Sequence, residues 1–325
     1  ESCSMKIAII GAGLAGLTLA QRLAKVHDVT VYEKARGPGG RMSTRRADPF
    51  VFDHGAQYFT VETERFTRFL APFLDSGLIT SWPKDIARIG GARLSNKEKW
   101  VASPAMNSLC KTLAGGVSVQ TQVHIDLLER VRGTWTLVDK TGAQLGPFDW
   151  VISSAPSVQT AALFPDEFSG RAALDKTEMT GCFALMLGFE APLGLSWTAL
   201  KSSTPPIGWM AVNSTKPGRP EPYSILIQSD NEWAETHLED DPDKVRSALL
   251  AAASDHAGTD LSAASHQVMH RWRYAATRTP AGAPFLIDPA LNLAACGDWC
   301  LGGKVEAAFL SASELADQFE SSSST

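Results

Sequence analysis

Six consecutive residues, Gly11-Ala12-Gly13-Leu14-Ala15-Gly16, follow the spacing G-x-G-x-x-G, and Glu33 stands 22 positions beyond the first glycine. Such a run can hold a pyrophosphate. Gly11 allows a tight turn, Gly13 presents no Cβ to the phosphate, Gly16 lets helix and strand pack closely, and the N–H groups at a helix start face the anionic charge. Glu33 can accept hydrogen bonds from a ribose diol. The motif serves NAD and FAD alike, because both carry adenosine diphosphate. A glycine-rich turn in an unrelated α/β protein can have the same spelling. Here the flanking pattern supplies context that a bare motif lacks.

Two further groups point to FAD. Lys34 follows Glu33, and Arg36-Gly37-Pro38-Gly39-Gly40-Arg41-Met42 adds a flexible glycine pair, with Gly40 next to the Arg41 guanidinium, which is able to fork across phosphate oxygens. Near the other end, Gly297-Asp298 and then Gly303 precede a second helical pattern opening at Val305. Asp298 can bond a ribityl hydroxyl, and that helix start can place its positive end at the flavin pyrimidine carbonyl. The plainer readings are a basic surface loop for Arg36–Arg41 and a turn or capping aspartate for Asp298.

The elements that position these residues follow from periodicity. Lys6–Ile10 is a short β-branched run, Leu14–Lys25 is helical and Asp28–Tyr32 is again a strand, which makes a βαβ unit. A strand-like Phe50–Phe59 and an amphipathic helix over Thr63–Ser76 come next. Alternating runs between Gly115 and Val151 predict a three-stranded meander and a returning strand, Leu291–Cys296 predicts a late strand, and Val305–Phe319 a closing helix. The chain leaves a nucleotide domain, builds a second one richer in Pro and Trp, and comes back.

The 325 residues suit two domains, and 44% hydrophobic with 20% charged residues excludes a disordered, collagenous or coiled-coil chain. A net charge of -5 provides no basic field for nucleic acid or an acidic membrane, so neither is expected as a partner. Five scattered cysteines, Cys3, Cys110, Cys182, Cys296 and Cys300, form no metal-ligand spacing and no disulfide framework, so no metal is expected and a reducing cytoplasm is the expected location. No run reaches the roughly 18 apolar residues of a membrane span. Residues 1–4 read as an added segment ahead of Met5, and 321–325 as a frayed tail.

With these pieces in place the chain resembles the flavin amine-oxidase superfamily, and more closely the renalase family. The segments that carry the resemblance are Arg36–Ser43 (RGPGGRMS), Gly55–Phe59 (GAQYF), Asn213–Arg219 (NSTKPGR), His270–Ala275 (HRWRYA) and Cys296–Ala308 (CGDWCLGGKVEAA), and it extends from Met5 to about Phe319. It departs at His54 and Ala307. The resemblance implies an α/β fold in which an FAD-binding Rossmann-like domain of the p-hydroxybenzoate-hydroxylase kind (residues 5–80, 108–156 and 268–320) is interleaved with an α+β substrate domain (81–107 and 157–267). It also implies non-covalent FAD, with Val123 meeting the adenine through its backbone and Gln57 and Tyr58 on a strand passing the flavin. The activity implied is oxidation of 2-dihydro and 6-dihydro isomers of NAD(P)H, with oxygen as acceptor and hydrogen peroxide as product.

Aligned on amine oxidases of the monoamine type, Lys304 stands where a tyrosine would face the flavin, and no cysteine stands where those enzymes tether it. A cationic lysine suits a phosphate-bearing or carboxamide substrate better than an amine. A dihydropyridine needs no strong base; it needs its C–H about 3 to 3.5 Å from flavin N5. Trp209, Asn213, Lys216, Arg219, Trp272 and Lys304 are the candidate substrate contacts, with Arg273 nearby and with Lys304, Trp272 and His270 as catalytic candidates. The plainer alternatives are core packing for the tryptophans, a hydrogen-bonded structural histidine and a solvated lysine. Two competing readings stand beside the oxidase: an amine oxidase or desaturase acting on another small substrate, and a non-catalytic flavoprotein that only binds dinucleotide.

Overall fold

The computed structural model describes residues 4–83 and 85–322. Cys3 and the outer ends of the segments 1–4 and 321–325 lie outside the described residues. The described residues form two compact units, one from the stretches Glu1–Gly40, Leu109–Met179 and Thr277–Thr325, the other from Arg41–Ser108 and Thr180–Ala276. By this division the segment 41–80, grouped in sequence with the nucleotide half, falls in the second unit.

The first unit is built on a six-stranded sheet in the order Leu286–Asp288, Leu293–Ala295, Trp150–Ser153, Lys6–Ile10, Asp28–Glu33, Ser118–Thr121. All neighbours pair in parallel except the first strand, which closes the edge antiparallel. Ile7, Ala8, Ile9, Val31 and Leu293 are fully buried, as a parallel sheet covered on both faces requires. The helix Leu14–Leu23 packs against the helix Val305–Ser322, and Arg22 of the former pairs with Asp317 of the latter at 2.8 Å.

The meander is shifted from its expected place. Ser118–Thr121 joins the parallel sheet beside Asp28–Glu33, so the three antiparallel strands are Ile125–Val131, Thr134–Asp139 and Gln144–Phe148. The alternation of Val117–Val123 is the same in either partnership, and only the long-range pairing distinguishes them. Arg132 and Gly133 both have positive φ (50° and 87°), the two-residue turn whose twist matches an antiparallel pair.

The second unit carries a six-stranded sheet in the order His266–Thr279, Glu178–Gly188, Ser224–Ser229, Ile207–Val212, Ala199–Ser202, Ile86–Ile89. Its two faces do different work. Phe183, Leu185, Ile225, Ile227, Met210 and Leu200 point to one face and pack on Ala234, Val245 and Leu249 of the helices Asn231–His237 and Pro242–Ala257. The longer helix is started by the Asp241 carboxylate, which accepts the Asp243 N–H at 3.0 Å, and stopped by Gly258 in the left-handed region. On the opposite face Ala184, Met186 and Leu226 pack under Phe50 and Phe52. The expected strand Phe50–Phe59 is regular only over Phe50–Phe52; the rest is a strap, re-anchored where Phe59 bridges Trp100. The helix predicted over 63–76 runs Glu64–Asp75, with the Thr63 hydroxyl accepting the Phe66 N–H.

Candidate functional site

The nucleotide motif occupies the point where the strand order of the first sheet reverses, at the carboxyl ends of Lys6–Ile10 and Trp150–Ser153. Crevices of this kind open at such points in doubly wound sheets. Gly11 has φ +105°, and a Cβ there would lie 2.6 Å from Ser154 Oγ. A Cβ on Gly16 would lie 2.0 Å from the Gly11 carbonyl oxygen, so no other residue fits. Ser154, which sequence reasoning passed over, fastens the turn by donating to the Ile10 and Gly11 carbonyls at 3.0 Å each. No side chain caps the helix at Gly13, which leaves its first-turn N–H groups for an anion.

Glu33 is buried and its two oxygens accept the Ala12 and Ala35 N–H groups, each at 2.8 Å. Each carboxylate oxygen keeps lone-pair capacity for a hydroxyl. Gly39 N–H donates to the Ala12 carbonyl at 2.9 Å, and a Cβ on Gly40 would meet Gly13 Cα at 3.2 Å, so the second glycine pair closes over the first. An uncapped helix start, a Cβ-free floor and a carboxylate at the end of the adjacent strand fit an adenosine diphosphate group.

Other expected cofactor residues of this unit divide. Lys34 and Arg36 are exposed, Lys34 reaching Gln159 at 3.4 Å. Val123 donates its N–H to the Glu33 carbonyl at 3.0 Å, which places it beside that carboxylate residue. Asp298 is buried, and its carbonyl accepts the N–H groups of Leu301, Gly302 and Gly303 at 2.9–3.0 Å. Gly297 N–H donates to Ser311 Oγ at 2.9 Å, a tie invisible in sequence. Gly303 has φ +82° with Thr277 3.0 Å from where its Cβ would be, and Lys304 is exposed just before Val305 opens the last helix. Cys110, Cys296 and Cys300 are free and buried, and burial pushes the Cys110 and Cys300 thiols up to about 12.

In the second unit the centre is Asp53, to which the sequence analysis gave no role. It is fully buried, and its Oδ2 accepts from Arg219 Nη2 at 2.7 Å, Arg219 Nε at 3.1 Å and Lys216 Nζ at 3.3 Å. Its Oδ1 accepts from the Met106 N–H at 2.9 Å and the Thr44 hydroxyl at 2.8 Å. Burial by itself would raise this carboxyl; the two cations and the Met106 N–H outweigh it and hold it at about 2. Lys216 is brought down to about 8, because burial and the Arg219 charge together exceed what Asp53 returns.

Asn213, Lys216 and Arg219, expected as substrate contacts, therefore turn inward in the structure. All three are buried, and Asn213 donates to the Val51 carbonyl at 2.8 Å while accepting the Asp53 N–H. Gln57 is likewise used inside the unit: Nε2 donates to the Asp53 and Gly55 carbonyls and Oε1 accepts from Lys216 at 3.3 Å. The network pins the strap that carries Tyr58. Arg41 helps from its start, its carbonyl accepting the Ala56 N–H at 2.8 Å and its guanidinium reaching the Ala275 carbonyl at 3.4 Å, with Met42 buried beside it. A Cβ on Gly55 would sit 1.9 Å from that Arg41 carbonyl.

Aromatic groups gather on the strap-covered face. Tyr58 and Trp209 lie with ring centres 5.3 Å apart. Trp209 is buried, and its indole N–H has no partner among the described residues. Trp272 donates its indole N–H to the His54 carbonyl at 2.8 Å, and the rings of His54, His270 and Trp272 meet pairwise at 4.4–5.0 Å. Burial, then the neighbouring His270 and Arg45, bring His54 down to about 4, and burial and Arg45 lower His270 as well. Both imidazoles are therefore neutral at pH 7. Arg273 is exposed and paired with Glu239. Among the described residues no cluster of three or more His, Cys, Asp or Glu could hold a metal, and no helix is long and apolar enough to cross a membrane.

Comparison with known proteins agrees with this geometry. Residues 9–73 match the family described as the NAD(P)-binding Rossmann-like domain. The 4,4'-diapophytoene desaturase of Staphylococcus haemolyticus is 35% identical over 135 residues, which cover 39% of this chain and 25% of the desaturase. That of Staphylococcus aureus is 52% identical over 52 residues, or 16% and 10%. The matches thus span a quarter or less of these relatives.

Whole-chain similarity comes from structure. A protein of Exiguobacterium sp. 255-15 provisionally named a protoporphyrinogen oxidase superposes with a TM-score of 0.78 at 11% identity, covering 98% of this chain and 99% of that one. Putrescine oxidase gives 0.70 at 12% identity, covering 99% and 100%. Cyclohexylamine oxidase of Brevibacterium oxydans gives 0.71 at 13%, covering 98% and 100%. The fold is the Rossmann-like FAD-binding fold of the flavin amine oxidase type.

Proposed function

We propose that the chain is an FAD-dependent oxidase of the renalase kind, taking a hydride from 2-dihydro or 6-dihydro isomers of NAD(P)H. The products are NAD(P)+ and, with oxygen as acceptor and one proton from solvent, hydrogen peroxide. Bound FAD would supply the hydride acceptor and the reaction with oxygen. The helix start at Gly13–Gly16 and the Glu33 carboxylate would hold its adenosine diphosphate. The observation that carries the substrate reading is the aromatic wall of Trp209 and Tyr58, with ring centres 5.3 Å apart. A flat nicotinamide ring fits it by stacking.

Anaerobic titration of the flavin absorbance near 450 nm (roughly the flavin band) tests this. Partially rearranged NADH should bleach it rapidly, and pure 4-dihydro NADH slowly. Equal rates would refute the isomer assignment.

A second reading, an amine oxidase or desaturase on another small substrate, is supported by the structural likeness to putrescine and cyclohexylamine oxidases and by the desaturase matches. Peroxide release on an amine panel with no bleaching by any dihydronicotinamide isomer would favour it.

A further inference from the structure

Along the strap-covered face of the second sheet the pairing register sets Trp209 opposite Lys201, and Lys201 opposite Arg88 on the edge strand Ile86–Ile89. Paired residues of neighbouring strands point to the same face. Here that is the face away from the two helices, because Met210, Leu200, Ala87 and Ile89 occupy the other. Lys99 lies within electrostatic reach of Arg88, its ammonium sits 5.8 Å from the Tyr58 ring centre, and Tyr58 meets Trp209.

Three cations thus border one aromatic wall. Among the described residues neither Arg88 nor Lys201 has a side-chain hydrogen bond or ion pair. Lys99 donates to the Ser95 and Lys97 carbonyls at 2.7 and 3.0 Å, which fixes its charge in place. The nearby Glu98 is held by the Ser81 hydroxyl, and Lys97 pairs with Glu62 at 3.1 Å. Like charges facing each other across a strand pair destabilise a sheet unless an anion relieves them. Trp209, at the other end of the row from Arg88, is buried and packs on Tyr58.

We infer that Arg88 and Lys201, with the field of Lys99, form an anion subsite that takes the pyrophosphate of an adenine dinucleotide whose ring lies against Trp209 and Tyr58. This deepens the substrate reading proposed above and rests on it. Guanidinium and ammonium groups suit phosphate oxygens through charge-assisted hydrogen bonds.

The test uses flavin-saturated protein, so that the nucleotide cradle of the first unit is filled. Calorimetric titration with ADP and with inorganic pyrophosphate should show binding that weakens about tenfold or more in Arg88→Gln and in Lys201→Gln, the loss of one charged hydrogen bond. Adenosine should not bind. In turnover, the ratio of kcat/KM for rearranged NADH to that for rearranged dihydronicotinamide riboside, which lacks phosphate, should fall by a similar factor. No ADP binding, binding unchanged in both variants, or pyrophosphate binding without ADP overturns the dinucleotide subsite, and bleaching by the isomers would then leave the substrate reading standing. Failure of every isomer to bleach the flavin, with ADP binding still sensitive to Arg88 and Lys201, overturns the substrate reading instead and leaves an anion site.

Discussion

Asp53→Asn should destabilise the second unit severely. The carboxylate stands at about 2 rather than 3.8, a shift that at about 1.36 kcal/mol per unit corresponds to stabilisation on the order of 2 kcal/mol at neutral pH. Its folded value is depressed, so this contribution is full above about pH 4 and is lost as pH falls toward 2. The amide, like the protonated acid, leaves Lys216 and Arg219 fully buried without a counter-charge, and its NH2 group also turns a donor toward a ring of donors. Removing one partner of a buried pair costs about 3 to 5 kcal/mol. At a few degrees per kcal/mol for a unit of this size the melting temperature should fall by roughly 6 to 15 °C. Thermal unfolding followed by circular dichroism reads this directly. Asp53→Asn/Lys216→Met should recover about 1 to 3 kcal/mol relative to Asp53→Asn alone, since the second change deletes a stranded ammonium. A single variant that melts within about 2 °C of the parent would refute the reasoning, as would a double variant less stable than the single one.

Three further outcomes are expected. Gly16→Ala should abolish flavin retention, because its Cβ would lie 2.0 Å from the Gly11 carbonyl oxygen; full flavin content after gel filtration would contradict this. Glu33→Gln keeps the shape but loses the charge that accepts the Ala12 and Ala35 N–H groups, so flavin occupancy after dialysis should drop while the reduction rate of the remaining holoprotein holds. Trp272→Ala opens the wall shared with His54 and His270 and Lys304→Ala removes an exposed cation, and both should slow anaerobic bleaching more than they lower flavin content, measured by stopped flow.

Local signals were enough for the nucleotide half. The turn at Gly11, the helix from Leu14 and the strand ending at Glu33 are contiguous, so their spacing alone specifies a βαβ unit and the carboxylate that closes it. The helix expected over Thr63–Ser76 and the closing helix from Val305 were legible for the same reason. The strand order of either sheet was not, because alternation is indifferent to the partner: Ser118–Thr121 pairs with a strand some 90 residues earlier, and nothing within it says so.

The second unit depends most on tertiary structure. Lys216 and Arg219 were candidate substrate contacts in sequence, yet Asp53, more than 160 positions away, takes both into the interior. Burial of a charge is decided by a partner, and that partner is a long-range neighbour. The reverse holds for Arg88 and Lys201, ordinary charges in sequence that the parallel pairing of the edge strand with its neighbour sets side by side next to Trp209. The sequence by itself marked the contiguous glycine turn and carboxylate of a dinucleotide motif; only the tertiary structure decided which cations were enclosed, through the loop contact of Asp53 with Lys216 and Arg219, and which were set side by side by strand register, as Arg88 and Lys201 are, because charge separation in space is not set by distance along the chain.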